Sequence, residues 1–422
     1  MKTEHEERFE FSSEGGRVMN FQIDNQLVDS VELKCLVVSR GLKIDKEVYQ
    51  KCGKRFRIYP NALTCNSFKL PDGTIVMATD LGFHLSTLSS MFSWDNLKLF
   101  KYMSDMTTDY RLSLIDGQPT LVFKGTPVTP VELMPGTEFY QQKTSSGMPY
   151  AGNAVLQGCD WVAFQCLWPC DYACAGKPCQ FCFSGGQFEA LAKRHKPMPF
   201  IPSPQDVSEV VLYAVEHDSV NSMQLTGGST FKAETEEKYI TAYMQNMLES
   251  GAREALKGEL LLYITPPERH EVIDRYFEMK ASRIACSLEV WDDKLGESIT
   301  PGKRSFTTKQ RHLDALTYIS EKYGPGKAFC NFIIGLEPFE TLKEGATYLA
   351  ERGVIPSASV WMPFGKPVNG SMKPASLEYF RKTKEMLAGL YLKYNLEPAG
   401  CCGLNVCVER DIWRQAAGVS CC

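Results

Sequence analysis

From residue 159 onward the chain repeats one pattern six times: a short apolar run followed by a long amphipathic stretch. The runs are Trp161–Phe164, Ser222–Leu225, Leu260–Ile264, Ile284–Leu288, Phe329–Ile334 and Ser357–Trp361. The helical patterns that follow are Asp206–Val215, Glu234–Glu249, Glu268–Lys280, Thr308–Lys322, Leu342–Glu351 and Ala375–Tyr394. Pro204 and Pro267 precede two of them, as helix starts allow. Alternation of this kind calls for a parallel sheet covered by helices, and six units suit a partial or complete βα barrel. Functional groups in such barrels gather at the C-terminal ends of the strands.

The region before the repeat has a different texture. Strand-like runs at Arg55–Tyr59, Thr74–Met77 and Thr120–Phe123 are separated by turn signals: PDG at 71–73, DGQP at 116–119, and Pro127, Pro130 and Pro135. Residues 1 to about 18 are polar and expected to fray. The expected division is a mixed, β-rich N-terminal domain over 1–155, the barrel over 156–395 and a cysteine-rich tail over 396–422. Cys35, Cys52 and Cys65 are scattered and read as small buried hydrophobes.

Five cysteines fall within seventeen residues: Cys166, Cys170, Cys174, Cys179 and Cys182. Packing does not call for such density, and thiolates select zinc, copper(I) or iron–sulfur clusters. The 422-residue chain has sixteen cysteines, a start without the apolar stretch of a signal peptide, and no run of eighteen apolar residues. These features predict a cytoplasmic protein with no membrane contact, in which clustered cysteines bind metal rather than pair as disulfides. A net charge of −4 offers no basic surface for nucleic acid. Three thiolates from Cys174-AGKP-Cys179-QF-Cys182 would leave one iron of a four-iron cluster open, as catalytic metals keep an open position. A four-cysteine zinc site at Cys170, Cys174, Cys179 and Cys182 is the competing structural reading. The six histidines show no paired ligand spacing and read as mostly solvated; Asp292 and Asp293 read as a solvated loop, or as substrate contacts at the barrel mouth.

The cysteine loop, ending in cysteine–any–aromatic–cysteine, resembles that of the radical S-adenosylmethionine (radical SAM) superfamily. The spacing here is four then two, where three then two is common. Cys174 is taken as the first ligand, with Cys170 as the alternative. Phe181 and Phe183 give the loop an apolar wall. Gln224-LTGGS-Thr230 is similar to the stretch that receives the amino group of SAM: Gly227 and Gly228 match, and Ser229 replaces the acidic residue. Ser287 and Glu289 match the use of the fourth strand for the SAM ribose. Asn331–Glu337 partly resembles the adenine-packing element through Ile333 and Gly335. Val360–Pro367 would close the adenine or substrate pocket.

The resemblance implies an α/β fold of the radical SAM type, a partial (βα)6 barrel. It also implies a [4Fe–4S] cluster and SAM as cofactors, reductive cleavage of SAM to a 5′-deoxyadenosyl radical, and hydrogen abstraction from a substrate. A small-molecule or peptide substrate and an electron donor such as flavodoxin or ferredoxin follow as partners; no catalytic residue is assigned. Cys401, Cys402, Cys407 and Cys421 in the tail suit a second cluster, with zinc or free thiols as alternatives. The rival to the enzyme is a zinc-binding or scaffold protein organised by the same loops.

Overall fold

The computed structural model describes residues 19–52, 58–59, 65–81, 107–151, 153–167, 170–182, 201–362, 372–400 and 406–420. A seven-stranded sheet dominates it. The strand Ala154–Gln157 pairs antiparallel with Trp161–Leu167. Five further strands then follow in chain order and all run parallel: Ser222–Gly227, Leu260–Tyr263, Arg283–Ala285, Ala328–Ile334 and Ile355–Val360. The sheet is curled into a half-barrel. All six runs predicted as strands are strands, and a helix follows each.

Period-two alternation explains the layering. Val162, Phe164, Met223, Leu225, Leu262 and Ile284 point outward into a core shared with the covering helices, where Val210, Ile240, Ile273 and Leu316 meet them. Trp161, Leu261, Ala285 and Phe329 point the other way and form an apolar floor inside the barrel. The helix Pro204–His217 starts as its sequence dictates: Ser203 and Asp206 form a capping box, with Pro204 in the first turn. Pro267, in contrast, stands before the helix His270–Glu278 rather than in it.

The N-terminal region is mixed. Sheets built from Cys65–Lys69 with Ile75–Thr79, and from Tyr110–Ile115, Gln118–Phe123 and Thr126–Pro130, stand beside the helix Ser30–Arg40. Pro127 and Pro130, read as turn residues, lie within a strand. That strand is a sheet edge, where a residue without an N–H is tolerated. Ser30 through Ser39 are buried all round, because this helix is held between its own sheets and the barrel. One core joins Val28, Leu36 and Phe68 to Phe329, Val360 and Tyr391.

The open edge of the half-barrel is Ile355–Val360, and the tail covers it. Val360 N donates to Val406 O (2.8 Å) and Val408 N to Ala358 O (2.9 Å). The tail then forms the helix Glu409–Ala417, whose Asp411 meets Lys34 at 2.6 Å, with both side chains fully enclosed. Lys384 pairs with Glu32 at 2.6 Å and with Asp29, so the N-terminal helix is clamped to the last barrel helix as well.

Candidate active site

The strand Trp161–Leu167 delivers the cysteine loop to the barrel mouth. Cys170 caps the single helical turn Asp171–Cys174. Its neighbour across the mouth is the loop after the second parallel strand: Asp171 N donates to Ser229 O (2.8 Å), Phe231 N to the Asp171 carboxylate (2.9 Å), and Ser229 N to Cys170 Sγ (3.4 Å). A methyl group on Gly228 would stand 2.6 Å from Cys170 Cα, and one on Gly227 2.6 Å from Leu167 N. The two glycines are therefore required for the loops to touch, a closer backbone approach than any other residue permits.

Cys174 is exposed, whereas Cys170, Cys179 and Cys182 are half-buried. Burial pushes the Cys179 thiol up; the Lys303 ammonium opposes this, while Cys182, Glu289 and Cys170 reinforce it. Cys174 is raised by burial, Asp171 and Cys170. Cys174 is thus the most exposed of the four thiols. Among the described residues no three His, Cys, Asp or Glu side chains converge tightly enough to hold a metal. The donor set is nonetheless all sulfur, which suits an iron–sulfur cluster.

Residues 299–307, after the fourth parallel strand, clasp this loop from the opposite side. Gln180 N donates to Ile299 O (2.8 Å), Lys177 Nζ to Ser305 Oγ (2.9 Å), and the Tyr172 hydroxyl meets Thr307 Oγ1. A methyl group on Gly302 would stand 2.7 Å from Lys177 O. Within the clasp, Lys303–Thr307 forms a π-helical turn, and it sends Lys303 inward. Lys303 Nζ donates to Ser287 O (2.6 Å) and to Glu289 Oε1 (2.8 Å).

From there a polar chain crosses the mouth. Asn331 Nδ2 donates to Glu289 Oε2 (2.8 Å), Ser359 Oγ donates to Asn331 Oδ1 (2.8 Å), and Ser359 Oγ lies 3.3 Å from Cys407 Sγ. Ser287 Oγ, nine-tenths enclosed, has no hydrogen-bond partner. An orphaned hydroxyl at the end of the fourth strand fits a polar ligand entering the mouth. The barrel therefore has an apolar floor and a polar upper tier.

The predicted residues fall into two groups. Cys170, Cys179, Gly227, Gly228, Ser229, Ser287 and Glu289 share the mouth; Phe181 and Cys182 stand on the same loop, half-buried. Glu289 is not presented by strand alternation, however: the strand stops at Ala285 and Glu289 has φ +68°, a left-handed turn that aims its carboxylate at Lys303. Gly335, at φ +93°, makes a turn in which a methyl group would stand 2.6 Å from Ala375 Cβ. Ile333 N donates to Glu289 O (3.1 Å), which ties the fourth and fifth strands together. Cys407 reaches Ser359, while Cys401, Cys402, Cys421, Phe183 and residues 363–367 lie outside the described residues.

Two expectations change. Asp292 caps the helix Asp293–Ile299, and Asp293 pairs with Arg304 and Lys309, so neither is a free substrate contact. His312 is buried, its Nδ1 bonded to Thr308 O (2.8 Å), and enclosure beside Lys303 lowers its pKa to about 3. Sequence reasoning passed over Lys303 and Ser359 and gave Asn331 no polar role; Asn331 and Ser359, polar residues inside apolar runs, were the available signal.

No family model matches the chain. It is 25% identical over 263 residues to bacteriochlorophyllide c C-7(1)-hydroxylase of Chlorobaculum limnaeum, a match spanning 60% of this chain and 65% of that relative. Among solved structures it is similar to a radical SAM methyltransferase from Sphaerobacter thermophilus (12% identity, 76% of this chain and 87% of that one, TM-score 0.40). It is also similar to the FeFe-hydrogenase maturase HydG from Carboxydothermus hydrogenoformans (12% identity, 58% and 54%, TM-score 0.39). A third is coproporphyrinogen III oxidase (HemN) from Escherichia coli, a radical SAM enzyme (13% identity, 52% and 50%, TM-score 0.33). Sheet and cysteine loop define the class first: an α/β half-barrel whose mouth is built around thiols. The chain covers less than two thirds of the curated relative it resembles.

Proposed function

We propose that this protein binds a [4Fe–4S] cluster through Cys179, Cys182 and a third thiol from Cys170 or Cys174, with SAM seated beside it. The carrying observation is the joining of the cysteine loop to the Gly227–Gly228 turn, with Cys170 Sγ 3.4 Å from Ser229 N. That placement favours Cys170 as the third ligand. The chemistry such a pair supplies when bound is one-electron reductive cleavage of the sulfonium, leaving methionine and a 5′-deoxyadenosyl radical that removes a substrate hydrogen. Gly227, Gly228 and Ser229 offer backbone and hydroxyl acceptors to an ammonium group, and Ser287 Oγ and Glu289 offer acceptors to ribose hydroxyls.

The substrate lies in the barrel, over the Trp161–Phe329 floor, with its polar edge toward Asn331 and Ser359. The relative acts on a bacteriochlorophyllide, by its name. Activation of an unreactive C–H bond in a small molecule with one apolar face is the class of reaction this interior suits. A soluble electron donor of the flavodoxin or ferredoxin kind is part of the proposal. So is a second iron–sulfur site using Cys407 with Cys401, Cys402 and Cys421.

The test is anaerobic reconstitution, metal and sulfide analysis, and assay of 5′-deoxyadenosine after reduction with SAM. About four irons per chain and deoxyadenosine are expected, or about eight with the tail site. Stoichiometric zinc with intact SAM would overturn the proposal. Cys170→Ala is expected to abolish the mouth cluster and Cys174→Ala to retain it, read by the charge-transfer absorbance of the cluster; the reverse pattern would move the third ligand to Cys174.

A further inference from the structure

A second cleft lies outside the barrel mouth, behind the cysteine loop. Its walls come from the start of the helix Ala233–Glu249, the loop after the third parallel strand, and the aromatic rings of Tyr172, Phe231 and Phe306. The open space is about 540 Å³ including its mouth, with an inner part of about 30 Å³. An inner volume of that size takes one small polar group. None of the polar chain from Lys303 to Ser359 lines it.

Glu236 stands at its base, 4% exposed. One carboxylate oxygen accepts from Thr265 N (2.7 Å); the other, Oε2, has no partner. The Thr265 hydroxyl lies close enough to favour the charged carboxylate, yet neither it nor Oε2 completes a hydrogen bond. A buried carboxylate oxygen left without a donor is costly, and native proteins rarely leave one so.

The charges around it are unequal. Arg269 is taken by Glu237 at 3.1 Å; Arg311 pairs with Glu268 at 3.2 Å, keeps a buried Nε without a partner, and its charge also acts on Glu236. Glu234 and Glu236 form no salt bridge among the described residues, and in the lining four carboxyl groups (Glu234, Glu236, Glu237 and Glu268) face two guanidinium groups (Arg269 and Arg311). The rim is aromatic and exposed: Phe231 is 49% and Phe306 40% accessible, edge to face at 4.8 Å, with Tyr172 5.2 Å from Phe306. Exposed aromatic faces next to a buried, unpartnered carboxylate match an organic cation, which offers N–H donors at one end and apolar surface at the other.

We propose that this cleft binds a primary ammonium group carried on an apolar body, the ammonium donating to Glu236 Oε2 and the body lying against Phe231 and Phe306. No cysteine lines the cleft, which shares Tyr172 with the cysteine loop and Phe306 with the 299–307 clasp.

Calorimetric titration of the full chain with 2-phenylethylammonium tests it, with 2-phenylethanol as the neutral analogue and Nα-acetyl-lysine methylamide as a second arm. Saturable binding of one of the two amines is expected, about tenfold weaker for the alcohol and for Glu236→Gln, as loss of one charge-assisted hydrogen bond requires. A stronger lysine arm assigns the site to a peptide side chain, a stronger phenylethylammonium arm to a small amine. Phe231→Ala, an exposed position, keeps the test alive if Glu236→Gln fails to fold, and should weaken binding several-fold with an unchanged melting temperature. No binding of either amine at millimolar concentration, or binding unaltered in both variants, would overturn the proposal and leave the gap to water.

Discussion

Lys303 is a cation enclosed at the barrel mouth, joined to Glu289 at 2.8 Å and acting on Cys179. A buried charge about 8 Å from a redox centre is worth on the order of 2 kcal/mol at an effective dielectric of about 20. Lys303→Met should therefore shift the cluster midpoint potential negative by roughly 90 mV, measured by EPR-monitored redox titration, with iron content unchanged. Glu236 gives a prediction of opposite charge. Burial raises its pKa from 4.5 to about 7, so between those pH values the folded chain holds a proton that the unfolded chain has released, and above them the group is a carboxylate in both states. Stability from this group is full below pH 4.5 and is lost as pH rises to about 7, by about 3 kcal/mol. His312 acts in the other direction, its neutral ring costing stability as pH falls below 6.5. The difference in melting temperature between the parent and Glu236→Gln isolates the first effect: it should change across pH 4.5–7 and be flat above. Neither residue was legible beforehand. Lys303 lies in an unpatterned loop, and Glu236 looks like one more polar position on an amphipathic helix, because periodicity reports burial of apolar side chains and not of charged ones.

The clasp at 299–307 is the element on which the site depends most. It has the only π-helical turn among the described residues, and such turns often accompany functional positions. Gly302→Ala would put a methyl group 2.7 Å from Lys177 O and push the clasp off the cysteine loop. Overpacking of this kind costs about 1–3 kcal/mol. The expected outcome is a marked loss of iron on reconstitution with an unchanged far-ultraviolet circular dichroism spectrum; full iron loading would show that the clasp is dispensable. The strands and helices themselves were readable, since each apolar run and each amphipathic stretch is long enough to fix its own period. The end of the fourth strand was not: it stops at Ala285, and Glu289 adopts a left-handed conformation that no alternation pattern records.

At the scale of the molecule, the barrel was legible and its closure was not. The pairings that close it join residues hundreds of positions apart, and local sequence carries no mark of them. Lys34 and Asp411 are the extreme case, separated by 377 positions and 2.6 Å apart in the fold. Removing one partner of such a pair strands a buried charge and typically costs about 3–5 kcal/mol. Asp411→Asn should lower the melting temperature by on the order of 10 °C, read by differential scanning calorimetry, and restore part of it when combined with Lys34→Met.

The same pair sets a clock on synthesis. A ribosome adding roughly 5–20 residues per second takes about 20–75 s to travel from one partner to the other. For that interval the N-terminal helix exists with its lysine unanswered and its barrel-facing side bare. Until the final helix emerges, the nascent chain presents an adhesive surface, and a helper that shields it would act early on the first helix rather than late on the barrel.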